Sequence, residues 1–215
     1  MNIGILLSAG NSQRFNHEIQ KQLFKLNSKH IIEYSLDIMD QLLDLIIIIT
    51  NNNCYASICE ITKQYKNIII LLNDNESRND SIFIGLSHII NNNFQPQKII
   101  IHDSARPFIK KFHIENLLSC SDVKYKQYCI KLTNGLAKIK NFSNNDFICD
   151  VVDRNKYIEI CTPISIDFDL LLELNINEPF NEFIDLLNKK NIKYELIEST
   201  NYYLRKITYF DDVLF

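Results

Sequence analysis

The chain has 215 residues, 46% of them hydrophobic and 23% charged, and a formal net charge of −3. This composition is typical of a globular protein with a substantial core, and we predict a single domain over residues 1–215. The acidic balance, with no basic stretch, argues against a nucleic-acid partner. The apolar runs are strand-sized, so no membrane association is predicted.

The N-terminus and the cysteines predict a cytoplasmic location. The chain begins directly with a strand pattern and lacks the basic region and cleavage pattern of a signal peptide. Its cysteines form no CxxC pair and no Cys/His cluster with zinc spacing. We therefore expect buried thiols of a reducing compartment, and no disulfide or metal framework. The six cysteines are Cys54, Cys59, Cys120, Cys129, Cys149 and Cys161.

The first half of the chain alternates strand and helix patterns. Continuous Ile and Leu runs predict strands buried on both faces at 2–7, 44–50, 68–72 and 98–102. Amphipathic stretches predict helices at 31–41, 55–66 and 80–91, and another helix that begins at 113. This alternation is typical of an α/β fold with a parallel sheet covered by helices.

The pattern changes between about residues 127 and 152. Short segments at 128–132, 136–140 and 147–152 predict strands joined by polar turns. We interpret this insertion as a β-arm that projects from the α/β core. Because an exposed antiparallel arm tends to pair with another chain, a homodimer is predicted. A helix at 180–190 and a strand at 194–198 precede the polar C-terminal segment RKITYFDD.

The first strand leads into a loop of small and polar residues. The loop reads Ser8-Ala9-Gly10-Asn11-Ser12-Gln13-Arg14, and Lys21 follows it. Small residues after a buried strand leave backbone N–H groups that a polyphosphate can approach, and Arg14 and Lys21 supply positive charge. Ligands of open α/β sheets bind at this edge, outside the carboxyl ends of the strands. The alternative is an ordinary turn with two solvated basic residues.

Asp103 follows the predicted strand at 98–102, in the segment HDSARP. A carboxylate at this sheet edge is placed where a nucleotide-bound divalent cation would lie. Mg²⁺ keeps several waters and takes one or two carboxylates together with phosphate oxygens, so one aspartate is sufficient. The alternative is an Asx turn in which Arg106 forms a local ion pair.

Three further residues each have two interpretations. Ser81, in ESRNDS, either caps a helix, as Asp80 could, or hydrogen-bonds a base edge. Arg154, in VDRN, either binds phosphate through its planar guanidinium or pairs with a surface neighbour. Lys206, near the C-terminus, has the same two interpretations.

Together these motifs have a recognisable order. They are SAGNSQR followed by KQ, then ESRNDSIFIGL, HDSARPFI, VDRN, the tripeptide Cys161-Thr162-Pro163 and RKITYFDD. The chain resembles the 2-C-methyl-D-erythritol 4-phosphate cytidylyltransferase family in the order of these motifs. Its close relatives are the D-ribitol-5-phosphate cytidylyltransferases. The resemblance covers nearly the whole chain. It implies a Rossmann-like nucleotidyltransferase core with a mostly parallel sheet, and a β-arm that swaps across a homodimer.

The resemblance also implies a reaction and its participants. A polyol phosphate would attack the α-phosphorus of CTP in line, giving a CDP-polyol and pyrophosphate with Mg²⁺ as cofactor. The residues implied for CTP are Ser8, Ala9, Gly10, Asn11, Ser12, Arg14, Lys21 and Ser81. Those implied for the acceptor are Arg106, Arg154 and Thr162, with Arg154 reaching into the partner's site. The implied catalytic residues are Arg14, Lys21, Asp103 and Lys206, and Asp103 would also hold the metal.

The chain departs from the family pattern mostly on the acceptor side. Asn134-Gly135 stands where an Asp-Thr pair is expected, and Phe180-Asn181 replaces a Thr-Asp segment. Ser12 also replaces a second glycine in the first loop. The departures favour a divergent polyol phosphate over methylerythritol phosphate. They also leave open a degenerate nucleotide-binding relative without turnover, although the retained Arg14, Lys21 and Asp103 argue against it.

A nicotinamide-dependent Rossmann oxidoreductase does not fit this sequence. The first loop lacks G-x-G-x-x-G, and no acidic residue ends the second strand.

Overall fold

The computed structural model describes residues 1–15, 19–75, 77–143, 146–176 and 180–214, with backbone alone over 140–143 and 146–149. Its strands are β1 (Asn2–Ser8), β2 (Lys25–Leu26), β3 (Lys29–His30), β4 (Leu45–Thr50), β5 (Ile68–Leu72), β6 (Lys98–Asp103), β7 (Tyr125–Lys131), β8 (Leu136–Ser143), β9 (Asp146–Val152), β10 (Ile158–Asp167) and β11 (Glu195–Glu198). Its α-helices are α1 (Ile31–Leu42), α2 (Asn52–Thr62), α3 (Arg78–Asn91), α4 (Lys111–Leu118), α5 (Phe168–Leu174), α6 (Phe183–Lys189) and α7 (Asn201–Leu204). Short 3₁₀ helices cover Lys21–Leu23, Arg154–Lys156 and Phe210–Val213.

A seven-stranded sheet in the order β11-β7-β10-β6-β1-β4-β5 forms the centre of the fold. β1 pairs in parallel with β4 and β6, β4 with β5, and β7 with β11. β10 runs antiparallel to both of its neighbours, β6 and β7. The predicted α/β fold with a mostly parallel sheet is therefore confirmed.

Helices cover both faces of this sheet because the central strands are apolar on both sides. Ile3, Ile5 and Ile47 pack in one core with α3, α5 and α6, whereas Leu6 and Ile48 pack in the other with α1, α2 and α4. Such two-sided burial is what continuous Ile and Leu runs produce in parallel strands. The two helical layers cover the faces of the sheet but not the ends of its strands, where polar residues lie.

Gly85 permits a close contact between α3 and the central sheet. A Cβ built on Gly85 of α3 would lie 2.9 Å from Cγ2 of Ile5 in β1, a residue with no exposed surface. The absence of a side chain therefore lets α3 approach the sheet. The first turn of α3 is consequently held beside the carboxyl end of β1.

Two element predictions are corrected. The segment 128–132 was assigned to the arm, but β7 lies inside the central sheet, between β10 and β11. β10 itself was not predicted, and it carries a cis peptide bond at Thr162–Pro163 and a register shift between Cys161 and Ile164. The arm of the structure is the hairpin β8–β9, paired from Leu136↔Val152 to Ser143↔Asp146. No helix in the described ranges is long and apolar enough to cross a bilayer.

Candidate active site

Two adjoining clefts lie at the carboxyl ends of β1 and β6. The inner cleft has a volume of about 130 Å³, and its lining includes Ser8, Ala9, Ser81 and Asp103. The outer cleft has a volume of about 350 Å³, and its lining includes Asn11, Ser12, Arg14 and Thr208. The two clefts share Gly10, Lys21 and Lys206. The residues predicted for CTP are thus brought together along one edge of the sheet.

Two buried amide side chains hold the loop that follows β1. Nε2 of Gln22 donates to the carbonyl oxygens of Ser8 at 3.0 Å and Gly10 at 3.4 Å. Nδ2 of Asn51 donates to the carbonyl oxygen of Ala9 at 2.9 Å. Because three successive carbonyl groups are bonded from within the protein, the loop backbone is preorganised.

Ser12 adopts the left-handed conformation that glycine enters freely, with φ of 57°. A residue with a Cβ pays roughly 1–2 kcal/mol for this conformation. The Ser12 hydroxyl accepts the N–H of Lys21 at 2.8 Å and donates to Oε1 of Gln22 at 3.2 Å. Ser12, which stands where the resemblance implies a glycine, therefore ties the loop to the segment that carries Lys21.

Asp103 is buried at the end of β6 and is surrounded by cations. Its Oδ1 accepts from Nε of Arg78 at 3.1 Å, and its Oδ2 accepts from Nζ of Lys206 at 3.0 Å. Nε of Arg106 lies 3.9 Å from Oδ2. Burial alone would raise the pKa of Asp103, but Arg78, Lys206 and Arg106 together hold it well below its usual range. The carboxylate is therefore ionised at any physiological pH.

Lys21 lies between the two clefts, close to other cations. Burial, followed by repulsion from Lys206, lowers the pKa of Lys21 to about 8, although Asp103 acts in the opposite direction. A polyanion bound beside this lysine would stabilise its charged form and raise its pKa, so binding of the polyanion is favoured. The clefts consequently favour a ligand with several negative charges.

Arg78, which was not predicted as a site residue, connects the inner cleft to α6. Its Nη1 lies 3.7 Å from Oε1 of Glu182, the residue before α6, while its Nε binds Asp103. Burial raises the pKa of Glu182, with Arg78 acting in the opposite direction. The sequence signal for Arg78 was present, because it begins the R-x-D-S segment that also contains Ser81.

The structure shows that Ser81 does not cap helix α3. Ser77 caps α3 by accepting the N–H of Asp80 at 3.3 Å. The Ser81 hydroxyl instead accepts from Nδ2 of Asn73 at 2.8 Å and lines the inner cleft. Asn73 follows β5 just as Asn51 follows β4, so an asparagine directly after an apolar strand is the sequence signal for these two supporting residues.

The predicted acceptor residues do not line either cleft within one chain. Arg106 is buried, donating from Nη1 to the carbonyl of Leu204, and its Nη2 lies 3.4 Å from Oε1 of Glu159. Thr162 accepts the N–H of Asp103 at 3.1 Å and so positions that strand end. Arg154 is exposed and donates to the carbonyl of Thr133. For Arg106 and Thr162 this geometry supports a role through Asp103 rather than direct contact with an acceptor.

The donor set at Asp103 fits one kind of metal site. Within the described part of the chain, no group of three or more His, Cys, Asp or Glu side chains could hold a metal ion. Asp103 presents one ionised carboxylate to the inner cleft. Mg²⁺ binds in this manner when phosphate oxygens and waters complete its shell. The cysteines with described side chains are free thiols; Cys54, Cys129 and Cys161 are buried as predicted, but Cys59 is partly exposed and Cys120 is exposed. The side chain of Cys149 lies outside the described residues.

A Rossmann-like sheet with a preorganised small-residue loop and converging cations at its strand ends is typical of nucleotidyltransferase enzymes, which must hold a triphosphate during transfer. The model of the 2-C-methyl-D-erythritol 4-phosphate cytidylyltransferase (IspD) family matches residues 3–212. The chain therefore belongs to this family, and the resemblance found in the sequence is confirmed.

Individual relatives agree with the family assignment. The 2-C-methyl-D-erythritol 4-phosphate cytidylyltransferase of Thermotoga neapolitana is 24% identical, covering 99% of this chain and 94% of the relative. The enzyme of the same name from Lachnoclostridium phytofermentans is 28% identical over 79% of this chain and 72% of the relative. Among solved structures, the 4-diphosphocytidyl-2C-methyl-D-erythritol synthase of Anaerococcus prevotii has a TM-score of 0.77 at 19% identity, covering 99% of this chain and 94% of that one. The last comparison shows the shared fold.

Proposed function

We propose that this protein transfers CMP from CTP to 2-C-methyl-D-erythritol 4-phosphate in the cytoplasm, giving a CDP-polyol and pyrophosphate. The observation that carries the proposal is the convergence of Lys21, Lys206 and Arg78 around the ionised Asp103. The names of its relatives support methylerythritol phosphate as acceptor. This differs from the expectation drawn from the acceptor-side departures, which favoured a divergent polyol phosphate.

CTP is proposed to occupy both clefts. The cytosine and ribose would lie in the inner cleft beside Ser81, and the triphosphate would extend along the loop into the outer cleft. A Cβ built on Gly10 meets no atom within 4 Å, so the loop surface is open where the two clefts join. Gln22 and Asn51 hold this loop by its carbonyl groups, and backbone N–H groups of the loop would donate to phosphate.

The reaction needs positioning and charge rather than an enzyme nucleophile. An acceptor phosphate oxygen forms a bond to the α-phosphorus as the bond to the pyrophosphate oxygen breaks. Negative charge shifts to the leaving pyrophosphate, and Lys21 and Arg14 at the outer cleft are placed to stabilise it. Asp103 is the residue that would hold Mg²⁺, which when bound would polarise phosphate oxygens.

The acceptor half of the site is proposed to need a second copy of the chain. Arg154 is exposed beside the β8–β9 arm and lines neither cleft of its own chain. Val151 is 87% exposed and Ile139 is 58% exposed on the same arm. Apolar side chains on a projecting hairpin are typical of an interface. A homodimer through the arm would carry Arg154 into the partner's site.

A pyrophosphate-release assay tests the proposed function. The purified protein is incubated with CTP and Mg²⁺, with methylerythritol phosphate, with ribitol 5-phosphate, or with no acceptor, and the product mass is measured. We expect release with methylerythritol phosphate and none without acceptor, and an Asp103→Asn variant should lose turnover. Release with ribitol 5-phosphate alone would assign the other acceptor. Tight CTP binding without turnover on either acceptor would identify a degenerate relative.

A further inference from the structure

The C-terminal segment packs against the phosphate-binding loop. The N–H of Ile207 donates to the carbonyl of Ala105 at 2.8 Å, which anchors the segment beside β6. The ring of Phe210 then contacts Phe15 at 5.5 Å and Phe24 at 5.6 Å between centroids. Phe15 and Phe24 also contact each other at 5.5 Å. These three rings, the aromatic cluster, fasten the C-terminal segment to the two stretches that carry Arg14 and Lys21.

A second set of contacts fixes the backbone of Tyr209, next to the cluster. The carboxylate of Asp212 accepts the N–H of Thr208 at 2.7 Å and the N–H of Tyr209 at 2.8 Å. Nη2 of Arg205 donates to the carbonyl of Asp212 at 3.2 Å, which closes the turn. The Tyr209 ring lies beside Arg14, a residue that lines the outer cleft, and Cζ of Arg14 is 6.0 Å from the ring centroid.

We infer that Tyr209 is a positioning residue that holds the Arg14 guanidinium at the mouth of the outer cleft, an inference that rests on the proposed function. Arg14 is exposed, and a long side chain loses rotamer freedom when it binds a ligand. An aromatic face restrains the guanidinium through its π-system and leaves the N–H groups along its edge able to bind phosphate. Tyr209 therefore acts on the triphosphate through Arg14 and makes no required contact with it.

A double-mutant cycle on CTP affinity tests this inference. Tyr209→Leu should weaken CTP binding about two- to fivefold, the range expected for an exposed cation–π contact. Tyr209→Phe keeps the ring and should bind as the natural protein does. In an Arg14→Ala background, which weakens binding by itself, Tyr209→Leu should cause no further loss. Tyr202→Leu is the matched control, because Tyr202 is 75% exposed and lies on α7, outside both clefts.

Each other outcome overturns the inference. A loss that persists in the Arg14→Ala background would show that Tyr209 supports the segment as a whole rather than Arg14. Normal CTP binding by Tyr209→Leu, or by Arg14→Ala alone, would show that no positioning takes place; the proposed function would still stand. Failure of the natural protein to bind CTP would remove both the inference and the proposed function.

Discussion

The cleft side of the molecule and its arm side differ in how completely one chain builds them. At the clefts, Gln22 and Asn51 hold the loop, and Asp103 is bonded to Arg78 and Lys206. On the arm side, an exposed arginine and exposed apolar side chains have few partners in the described structure. The contrast indicates that one chain can preorganise the nucleotide site, whereas the proposed binding of the acceptor requires a second chain.

The largest expected effect is on the cleft side, at Lys21. Lys21→Ala should lower kcat by roughly 100-fold or more, because a preorganised, partly buried cation at the triphosphate is lost. Steady-state kinetics of pyrophosphate release measure this effect. Lys25→Ala is the matched control, since Lys25 is exposed on β2 and lines neither cleft. A Lys21→Ala variant with nearly full kcat would remove this lysine from the chemistry.

On the arm side, Arg154→Ala should mainly raise the KM for the acceptor. The expected change is about 10- to 100-fold, the loss of a charge-assisted hydrogen bond to phosphate. The affinity for CTP, measured by calorimetry, should stay the same. Lys156→Ala in the same 3₁₀ helix is the control for a general change in charge. Weakened CTP binding in Arg154→Ala would contradict its assignment to the acceptor.

Substitutions at two glycines should distinguish a position that faces the ligand from a position that packs in the core. Gly10→Ala should leave stability unchanged, because no atom lies within 4 Å of the new Cβ, yet weaken CTP binding about five- to tenfold by crowding the ligand. Gly85→Ala places its Cβ 2.9 Å from the buried Ile5. We expect it to lose about 1 kcal/mol of unfolding free energy, since overpacking outweighs the gain in helix propensity. Thermal unfolding and calorimetry on both variants check this pair, and equal behaviour would contradict it.

The smallest expected effect is a pH dependence of CTP affinity. Lys21, with a pKa of about 8 in the free protein, is charged below that value and loses its proton above it. A triphosphate binds the charged form, so affinity should fall as the pH rises, by about fourfold between pH 7 and 8.5. Calorimetry at pH 8.5 in two buffers should show proton uptake on binding. Lys21→Met should abolish that uptake, and an unchanged uptake would assign it to another group.

The sequence predicted the elements whose local pattern agrees with their environment. The strands β1, β4 and β6 are continuous apolar runs because both of their faces are buried. The prediction of two-sided burial at 68–72 is wrong, because β5 is the edge strand of the sheet and is only partly buried. β10 was missed because Pro163 interrupts its pattern, and proline in a strand interior reads as a break. β7 was placed in the arm because its segment is followed by two further short strand patterns joined by polar turns. In the structure Lys126 of β7 is buried, and it donates to the carbonyl oxygens of Asn116 and Ser119.

In the candidate site, too, some residues could be predicted from the local sequence and others could not. Charged residues next to strand ends, such as Lys21 and Asp103, were predicted because their chemistry is visible in the sequence. The supporting residue Gln22 was not, since an amide that bonds backbone carbonyls 14 and 12 residues away has no local signature. The position of Arg106 likewise depends on a carbonyl 98 residues distant. These long-range partners are set by the topology of the sheet.

Subunit mixing between Lys21→Ala and Arg154→Ala proteins is the most direct test of the proposed division between the two halves of the site. Each variant alone should be nearly inactive at low acceptor concentration. If Arg154 serves the partner's cleft, a mixed dimer contains one site with both residues intact. Random exchange should then restore about one quarter of the natural activity. No recovery in mixed dimers that are shown to form would contradict the account, because both residues would then act within one chain.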